Sequence, residues 1–185
     1  MRTLVTTHHL ELTEPGQLKP AKPSSAAYQL VQAEVPSPEL NRFLYASVGA
    51  DWCWYERLSW PYQRWLDYLN RPEVVTWVAY VQGTPAGYFE LESQDGGSEE
   101  IAYFGLLPGF IGKGLGGALL TDAINTAWAR GARRVWLHTC SLDHPSALDN
   151  YQARGFRVFD TVQDYEELPD ESLEPWPGAG AVPSA

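Results

Sequence analysis

Basic residues are scarce in this sequence, cysteine is scarcer, and long apolar runs are missing altogether. Lys and Arg together number 13 against 23 Asp and Glu, a formal net charge of −10. A phosphate polymer needs a basic face, so a nucleic-acid partner is not expected. Two cysteines, Cys53 and Cys140, do not suggest the disulfide framework of a small secreted domain. No apolar stretch approaches the roughly 18 residues a membrane helix requires, so no membrane partner is expected either. The first ten residues contain His8 and His9 and lack an apolar h-region, which argues against a signal peptide. The expectation is a soluble, cytoplasmic protein.

What is present is unevenly distributed. After Arg157 come seven acids (Asp160, Asp164, Glu166, Glu167, Asp170, Glu171, Glu174) and no Lys or Arg. The preceding 157 residues therefore carry only about −3 of the net charge. An acidic surface attracts cationic partners, although it also serves solubility alone. With 44% hydrophobic residues and 13% aromatics, the chain can bury a core of single-domain size.

Hydrophobic periodicity and turn residues give an element order. Residues 3–12 alternate loosely and predict an edge strand, and residues 14–25, with three prolines, read as a linker. A strand over 26–35 is followed by Ser37-Pro38-Glu39, a helix start with Ser37 as cap and Pro38 in the first turn. A second helix is predicted over 60–70 with Ser59 as its cap. Strands follow at Val74–Val81, 86–92 and 100–107, the second and third joined by the polar loop 93–98. Residues 112–130 place Leu115, Leu119, Ala123 and Ala127 at helical spacing, closed by Gly131. Then come a strand at Arg134–Cys140, a helix over 145–154, a strand over 156–165 and an expected disordered tail over 169–185. The domain reading is an N-terminal strand and linker extension (1–25), one folded domain (26–168) and the tail. The class is mixed α/β, an antiparallel meander followed by βαβ-like units.

The densest local signal is Pro108-Gly-Phe-Ile-Gly-Lys-Gly-Leu-Gly-Gly-Ala-Leu-Leu120. Four glycines stand between a strand and a long helix. Bare backbone approaches a ligand closely, and the unpaired first N–H groups of the helix, at the positive end of its dipole, form an anion site. Lys113 adds a charge. The spacing Gly112-x-Gly114-x-x-Gly117 formally fits a dinucleotide fingerprint, but that motif belongs in the first βα turn, with an acidic residue about 20 positions on. Here it follows a meander past the chain's midpoint. A phosphate-binding P-loop fails because Gly114, not Ser or Thr, follows the Gly-Lys pair.

This stretch resembles the first signature of the GNAT superfamily of N-acetyltransferases, Gln/Arg-x-x-Gly-x-Gly/Ala, aligned as Ile111-x-x-Gly114-x-Gly116. Downstream, Ala147-Leu-Asp-Asn-Tyr151-Gln-Ala-Arg-Gly155-Phe156 resembles the family's Ala-x-x-x-Tyr-x-x-x-Gly-Phe. The resemblance implies the GNAT fold, a mostly antiparallel mixed sheet with splayed central strands, and acetyl-CoA as co-substrate without a metal. By similarity, Ile111, Gly112, Lys113, Gly114, Leu115, Gly116 and Gly117 hold the CoA diphosphate. The pantetheine arm pairs with the backbone at Phe104 and Leu106, beside a bulge marked by Gly105. Ile111 departs from the usual Gln or Arg, which is expected to weaken cofactor binding rather than remove it.

The implied reaction moves an acetyl group directly to a primary amine of a small molecule or peptide. Tyr151 matches the family tyrosine that protonates the thiolate, and it also fits a plain packing role on its helix face. Glu100 lies 11 positions before Ile111, the distance of a catalytic glutamate in the family. At about 3.3 Å per residue it is about 13 Å from Phe104, which requires relay through water. Glu90, His138 and His144 are rival bases; His144 stands where the family commonly has Asn. No Cys/His spacing suggests a metal. Trp52, Trp54 and Tyr55, with Glu90, are read as the acceptor wall, against the alternative that these aromatics belong to the core or a dimer interface. Residues 3–12 are expected to add an edge strand or mediate a homodimer, because the C-terminal end is short for the family's final strand. The alternative function is a non-catalytic acyl-CoA-binding domain of the same fold.

Overall fold

The computed structural model describes residues 1–24 and 27–168. The expected tail over 169–185 lies outside the described residues, as do Ser25 and Ala26 of the expected linker and second strand.

Seven strands form a single mixed sheet in the order β2-β3-β4-β5-β6-β1-β7. They are β1 (Arg2–Leu12), β2 (Gln29–Gln32), β3 (Val74–Val81), β4 (Thr84–Gln94), β5 (Ser98–Leu106), β6 (Arg134–Cys140) and β7 (Arg157–Glu167). The helices are α1 (Pro38–Gly49), α2 (Tyr62–Leu69), α3 (Leu115–Ala129) and α4 (Ala147–Ala153). Strand alternation divides the core in two. Ala79, Phe89, Leu91, Leu10, Leu12, Val135 and Leu137 face α3 and Tyr151 of α4. Val78 and Tyr88 face Leu44 and Val48 of α1 on the other side.

Local chemistry accounts for the helix starts. The Ser37 hydroxyl accepts the Leu40 N–H at 3.2 Å, with Pro38 in the first turn, as predicted. The second helix begins later than predicted. Pro61 occupies its cap and forces the preceding Trp60 out of the helical region, to φ −66° and ψ 132°. Ser59 instead closes a separate 3-10 turn by donating to the Glu56 carbonyl at 3.3 Å. Helix α3 also starts later, at Leu115, because Gly112 and Gly114 adopt φ of 79° and 75°, outside the range of a right-handed helix.

Strand β1 corrects a sequence expectation. It is not at an edge but between β6 and β7, antiparallel to both, with Leu10 opposite Leu137 and Leu12 opposite Val135. Over residues 7–11 both of its hydrogen-bonding edges are used, leaving none for a partner chain there. The edge strands are β2 and β7, and β7 is exposed along its whole length.

The feature that positions the site is a failed pairing. Parallel β5 and β6 are in register only from Ser98–Arg134 to Glu100–Trp136. Two residues later β5 bulges: Leu91 faces Ile101 but Glu90 faces Tyr103, which leaves Ala102 as the extra residue. The bulge is therefore not at Gly105. A Cβ on Gly105 would lie 2.3 Å from Val48 Cγ1, so that glycine admits α1 to the sheet. Beyond the bulge, β5 stays paired to β4 while β6 stays paired to β1, and a V opens between them.

Because Leu10 is fully buried in the core beneath α3, Leu10→Ala is expected to cost about 2–5 kcal/mol in urea unfolding. Val162→Ala on exposed β7 should cost less than about 1 kcal/mol.

Candidate active site

The V continues into a cleft of about 830 Å³ that runs from the start of α3 to the turns ahead of α2. Phe104, Leu106, Ile111, Gly112, Gly116, Gly117, Tyr151, Trp52, Trp54 and Tyr55 all line it. Residues from three distant parts of the sequence thus meet at one site. Lys113, Gly114, Leu115, Glu90 and Glu100 do not line it.

At the α3 end the chain makes a 3-10 turn at Pro108–Phe110 and then two left-handed glycines. A Cβ at Gly112 or Gly114 would meet nothing within 4 Å, so these glycines serve backbone conformation rather than packing. Among the described residues, no hydrogen bond is made by the N–H of Gly112, Lys113 or Gly114, and the first-turn amides of α3 have no acceptor within the helix. Lys113 extends along the Phe110 ring, Nζ 5.5 Å from its centroid, and Leu115 is buried in the core. Gly117 has a different reason: a Cβ there would lie 2.6 Å from Arg154 Nη1 and 3.1 Å from Ala21 Cβ. Arg154 Nε donates to the Lys19 carbonyl at 2.9 Å, and Ala21 N–H donates to Thr121 Oγ1 at 3.0 Å. The segment after β1 is therefore strapped over the junction of α3 and α4, a wall that sequence reading treated as linker.

Tyr151 stands midway. Its ring meets Phe104 and Phe156 edge-on, each at 6.2 Å. Although the residue is buried, its hydroxyl has no hydrogen-bond partner among the described residues. Burial first, and the Asp143 charge second, hold the phenol above its ordinary range, so it keeps its proton at neutral pH.

The other end is aromatic and anionic. Trp54 rests on bare Gly49 and packs on Tyr103 at 5.0 Å and Tyr45 at 5.6 Å. Trp52 sits edge-on to His144 at 4.9 Å. His144 Nδ1 accepts the Ser146 N–H at 3.0 Å and so shapes the turn into α4. Glu56, Asp143, Asp149 and Glu166 line the cleft, and among the described residues no Lys or Arg does. Asp143 also accepts from Thr139 Oγ1 at 2.6 Å and Cys140 N–H at 3.0 Å. Asp143 and Glu166 were not candidates from sequence; Glu166 reaches the cleft only because β7 pairs with β1.

Glu90 and Glu100 are placed differently. Glu90 is buried beneath the aromatic wall, where it accepts from Arg57 Nη1 at 2.9 Å and Tyr68 Oη at 2.6 Å. Arg57 in turn lies over the rings of Tyr68, Tyr103 and Trp60 at 4.2, 4.3 and 4.9 Å. Glu90 thus anchors the wall from behind and is not presented to a substrate. Glu100 sits at the vertex of the V, its Oε2 accepting from Gln94 Nε2 at 2.8 Å and its Oε1 3.5 Å from His138 Nδ1. His138 is the one that lines the cleft.

A family model described as "Acetyltransferase (GNAT) family" matches residues 37–156, well over half of the chain. The chain belongs to the GNAT acetyltransferase family. It is 29% identical over 136 residues to an uncharacterized N-acetyltransferase of Methanocaldococcus jannaschii, covering 68% of this chain and 58% of that one. It is 33% identical over 95 residues to an uncharacterized N-acetyltransferase of Mycobacterium bovis, covering 51% and 60%. A GCN5-related N-acetyltransferase structure from Kribbella flavida superposes with a TM-score of 0.63 at 20% identity, over 93% of this chain and 62% of that one. The chain spans about three-fifths of the length of these relatives. The GNAT fold, with its splayed strands, is thus the frame for the site described above. Among the described residues, no helix is long and apolar enough to cross a membrane.

Removing the cation behind the wall leaves a buried carboxylate unpaired. Arg57→Ala is expected to destabilise the fold by about 3–5 kcal/mol in denaturant unfolding. In native buffer, calorimetry should show coenzyme A affinity changed less than the affinity for any acceptor.

Proposed function

We propose that the protein is an acetyl-CoA-dependent N-acetyltransferase that passes the acetyl group directly to a primary amine of a small molecule or peptide. The observation that carries this reading is the composition of one cleft: unpaired amides at one end, carboxylates and ring faces at the other, an unpartnered phenol between.

The division suits two substrates of opposite charge. The amides of residues 112–117 and the dipole of α3 suit a diphosphate without requiring a cationic side chain. Ile111 presents hydrocarbon where the family has a polar residue, so binding at this end rests on the main chain. The open edge of β5 at Phe104 and Leu106 offers strand-like hydrogen bonding to an amide-bearing arm. At the far end, Glu56, Asp143 and Glu166 favour a cationic amine, and Trp52, Trp54 and Tyr55 offer faces to stack against it. Attack of the free amine on the thioester carbonyl forms the C–N bond. As the C–S bond breaks, Tyr151 gives its phenolic proton to sulfur, then regains a proton from the new amide nitrogen. The acidic cleft draws the amine in as its ammonium, which gives up a proton to a base before it attacks.

Ile111 also favours a second reading, a domain that binds acyl-CoA without turning it over. Thiol release from acetyl-CoA against a panel of small amines, amino acids and lysine peptides decides between them. Turnover on at least one amine is expected; tight coenzyme A binding with no thiol release on any amine would support the second reading.

Two variants test the parts. Gly114→Val strains a left-handed backbone position and is expected to weaken coenzyme A binding at least tenfold, about 1.4 kcal/mol by calorimetry. No heat with the wild-type protein would refute the cofactor assignment outright. Tyr151→Phe should lower kcat by about 10²-fold with coenzyme A affinity unchanged; equal losses in both would return Tyr151 to a packing role.

A further inference from the structure

Resting on the acetyltransferase reading and going beyond it, we propose that His138 is the general base, taking the ammonium proton on Nε2, and that Glu100, Gln94 and Trp136 are positioning residues that hold its ring.

Strand alternation gives the first argument. Along β6, Val135, Leu137 and Thr139 are buried toward α3, while Trp136, His138 and Cys140 point to the opposite face. That is the face of Trp54 and Tyr103, the acceptor side. Tyr151 stands on the other face, behind Phe104. His138 is also two residues past Trp136, the last residue of β6 paired with β5, and so stands at the first open step of the V across from the Ala102 bulge. A thioester lying in the V would have the base on its acceptor side and the acid on its cofactor side.

A directed hydrogen-bond chain gives the second. Trp136 Nε1 donates to Gln94 Oε1 at 2.9 Å, and Gln94 Nε2 donates to Glu100 Oε2 at 2.8 Å. An indole N–H is only a donor, so it fixes which end of the Gln94 amide faces Glu100. The other Glu100 oxygen is then aimed at His138 Nδ1, 3.5 Å away. A carboxylate only accepts, so it selects the Nδ1–H tautomer and leaves the Nε2 lone pair free. The distance is longer than a good hydrogen bond, as catalytic pairs commonly are before a substrate closes the site. His138 is half exposed in the cleft, whereas the Glu100 side chain is 13% exposed behind it. Glu100 therefore acts through His138.

The charges facing His138 come from every neighbouring element: Glu100 on β5, Asp143 after β6, Glu56 ahead of α2, and the His9 ring on β1 at 6.0 Å. Contact with Glu100 raises the imidazole above its ordinary range, and partial burial opposes this without cancelling it. Proton accounting is complete. His138 takes one proton from the ammonium and releases it to solvent; the second nitrogen proton returns to Tyr151 after sulfur has been protonated. The products are the amide, the CoA thiol and one solvent proton.

The test uses the best acceptor from the amine panel and the full chain. His138 must be neutral to act, so kcat/KM rises with pH through its ionisation. H138Q is expected to lower kcat/KM about 10²-fold and abolish that acid limb. E100Q removes the raising charge and should move the limb about one unit to lower pH while reducing the rate. The double variant should be no worse than H138Q, because the residues act as a unit. Nitrogen-15 spectra of the four histidines, which need no acceptor, should show the Nδ1–H tautomer for His138 and a lower titration midpoint in E100Q, with melting temperatures retained. An H138Q rate within threefold of wild type, or a His138 ring titrating alike in wild type and E100Q, overturns the assignment. Loss of activity in E100Q but not H138Q gives the base role to Glu100 and also overturns it. Turnover by the wild type is measured alongside: an active wild type confines any failure to His138, and an inactive one overturns the acetyltransferase reading as well.

Discussion

Everything at the site follows from two parallel strands that stop hydrogen-bonding after three residue pairs. A buried backbone that forgoes its ladder leaves N–H and C=O groups exposed, a cost that strands normally avoid. Here the splay is held from both sides. The outer edge of β5 remains tied to β4, and β6 is tied to β1 from Thr7 to Leu12. The Ala102 bulge adds one residue to β5 where the strands part, and the bare Cα of Gly105 brings α1 down onto the diverging segment. The opening is thus a consequence of pairing elsewhere in the sheet, and it leaves an amide edge for a ligand to complete.

A strand with different chemistry on its two faces turns that opening into a site with two sides. The period of two along β6 sends Leu137 into the core beneath α3 and His138 into the cleft. The bulge does the same for β5, turning Phe104 toward Tyr151 and Tyr103 toward Trp54. On the proposed reading, the diphosphate and the amine approach the V from opposite faces of one sheet. The direct transfer proposed above would use that arrangement, because both substrates must reach the same carbon without displacing each other.

Much of this was legible where local chemistry decides the outcome. Ser37 and Pro38 start α1, the Leu115–Leu119–Ala123–Ala127 stripe marks α3, and β6 has its predicted ends. The glycine turn and Tyr151 were found because their spacing is set by one strand, one helix and the chain between them. What escaped was long-range. Nothing in residues 2–12 says that they enter the middle of a sheet beside a strand more than 120 positions away. For the same reason Glu166 and the strap over Gly117 were invisible. Glu90 was misplaced because its partner, Arg57, lies in the aromatic turn 33 positions earlier, and only the fold shows that the two are buried together. The start of α2 was a local error: the constraint that Pro61 places on Trp60 was present in the sequence and outweighs the capping preference of Ser59.

Charge distribution closes the argument. A chain with net charge −10 repels a diphosphate at long range, and a cationic pocket would be the direct remedy. This cleft has none: Lys113 lies against Phe110, Arg57 is held by Glu90, and Arg154 is turned to the Lys19 carbonyl. Main-chain amides solve the problem differently. Their dipoles act over a few ångströms and add no net charge, so they bind an anion without weakening the acidic field at the other end of the cleft. That field is screened beyond about 8 Å at physiological salt, which lets one cavity hold opposite preferences at its two ends. On the proposed reading, the preference for an anion at α3 and for a cation at Trp52–Tyr55 is one design, and it depends on glycines at positions 112 and 114, where the backbone takes a turn that side-chain-bearing residues rarely adopt.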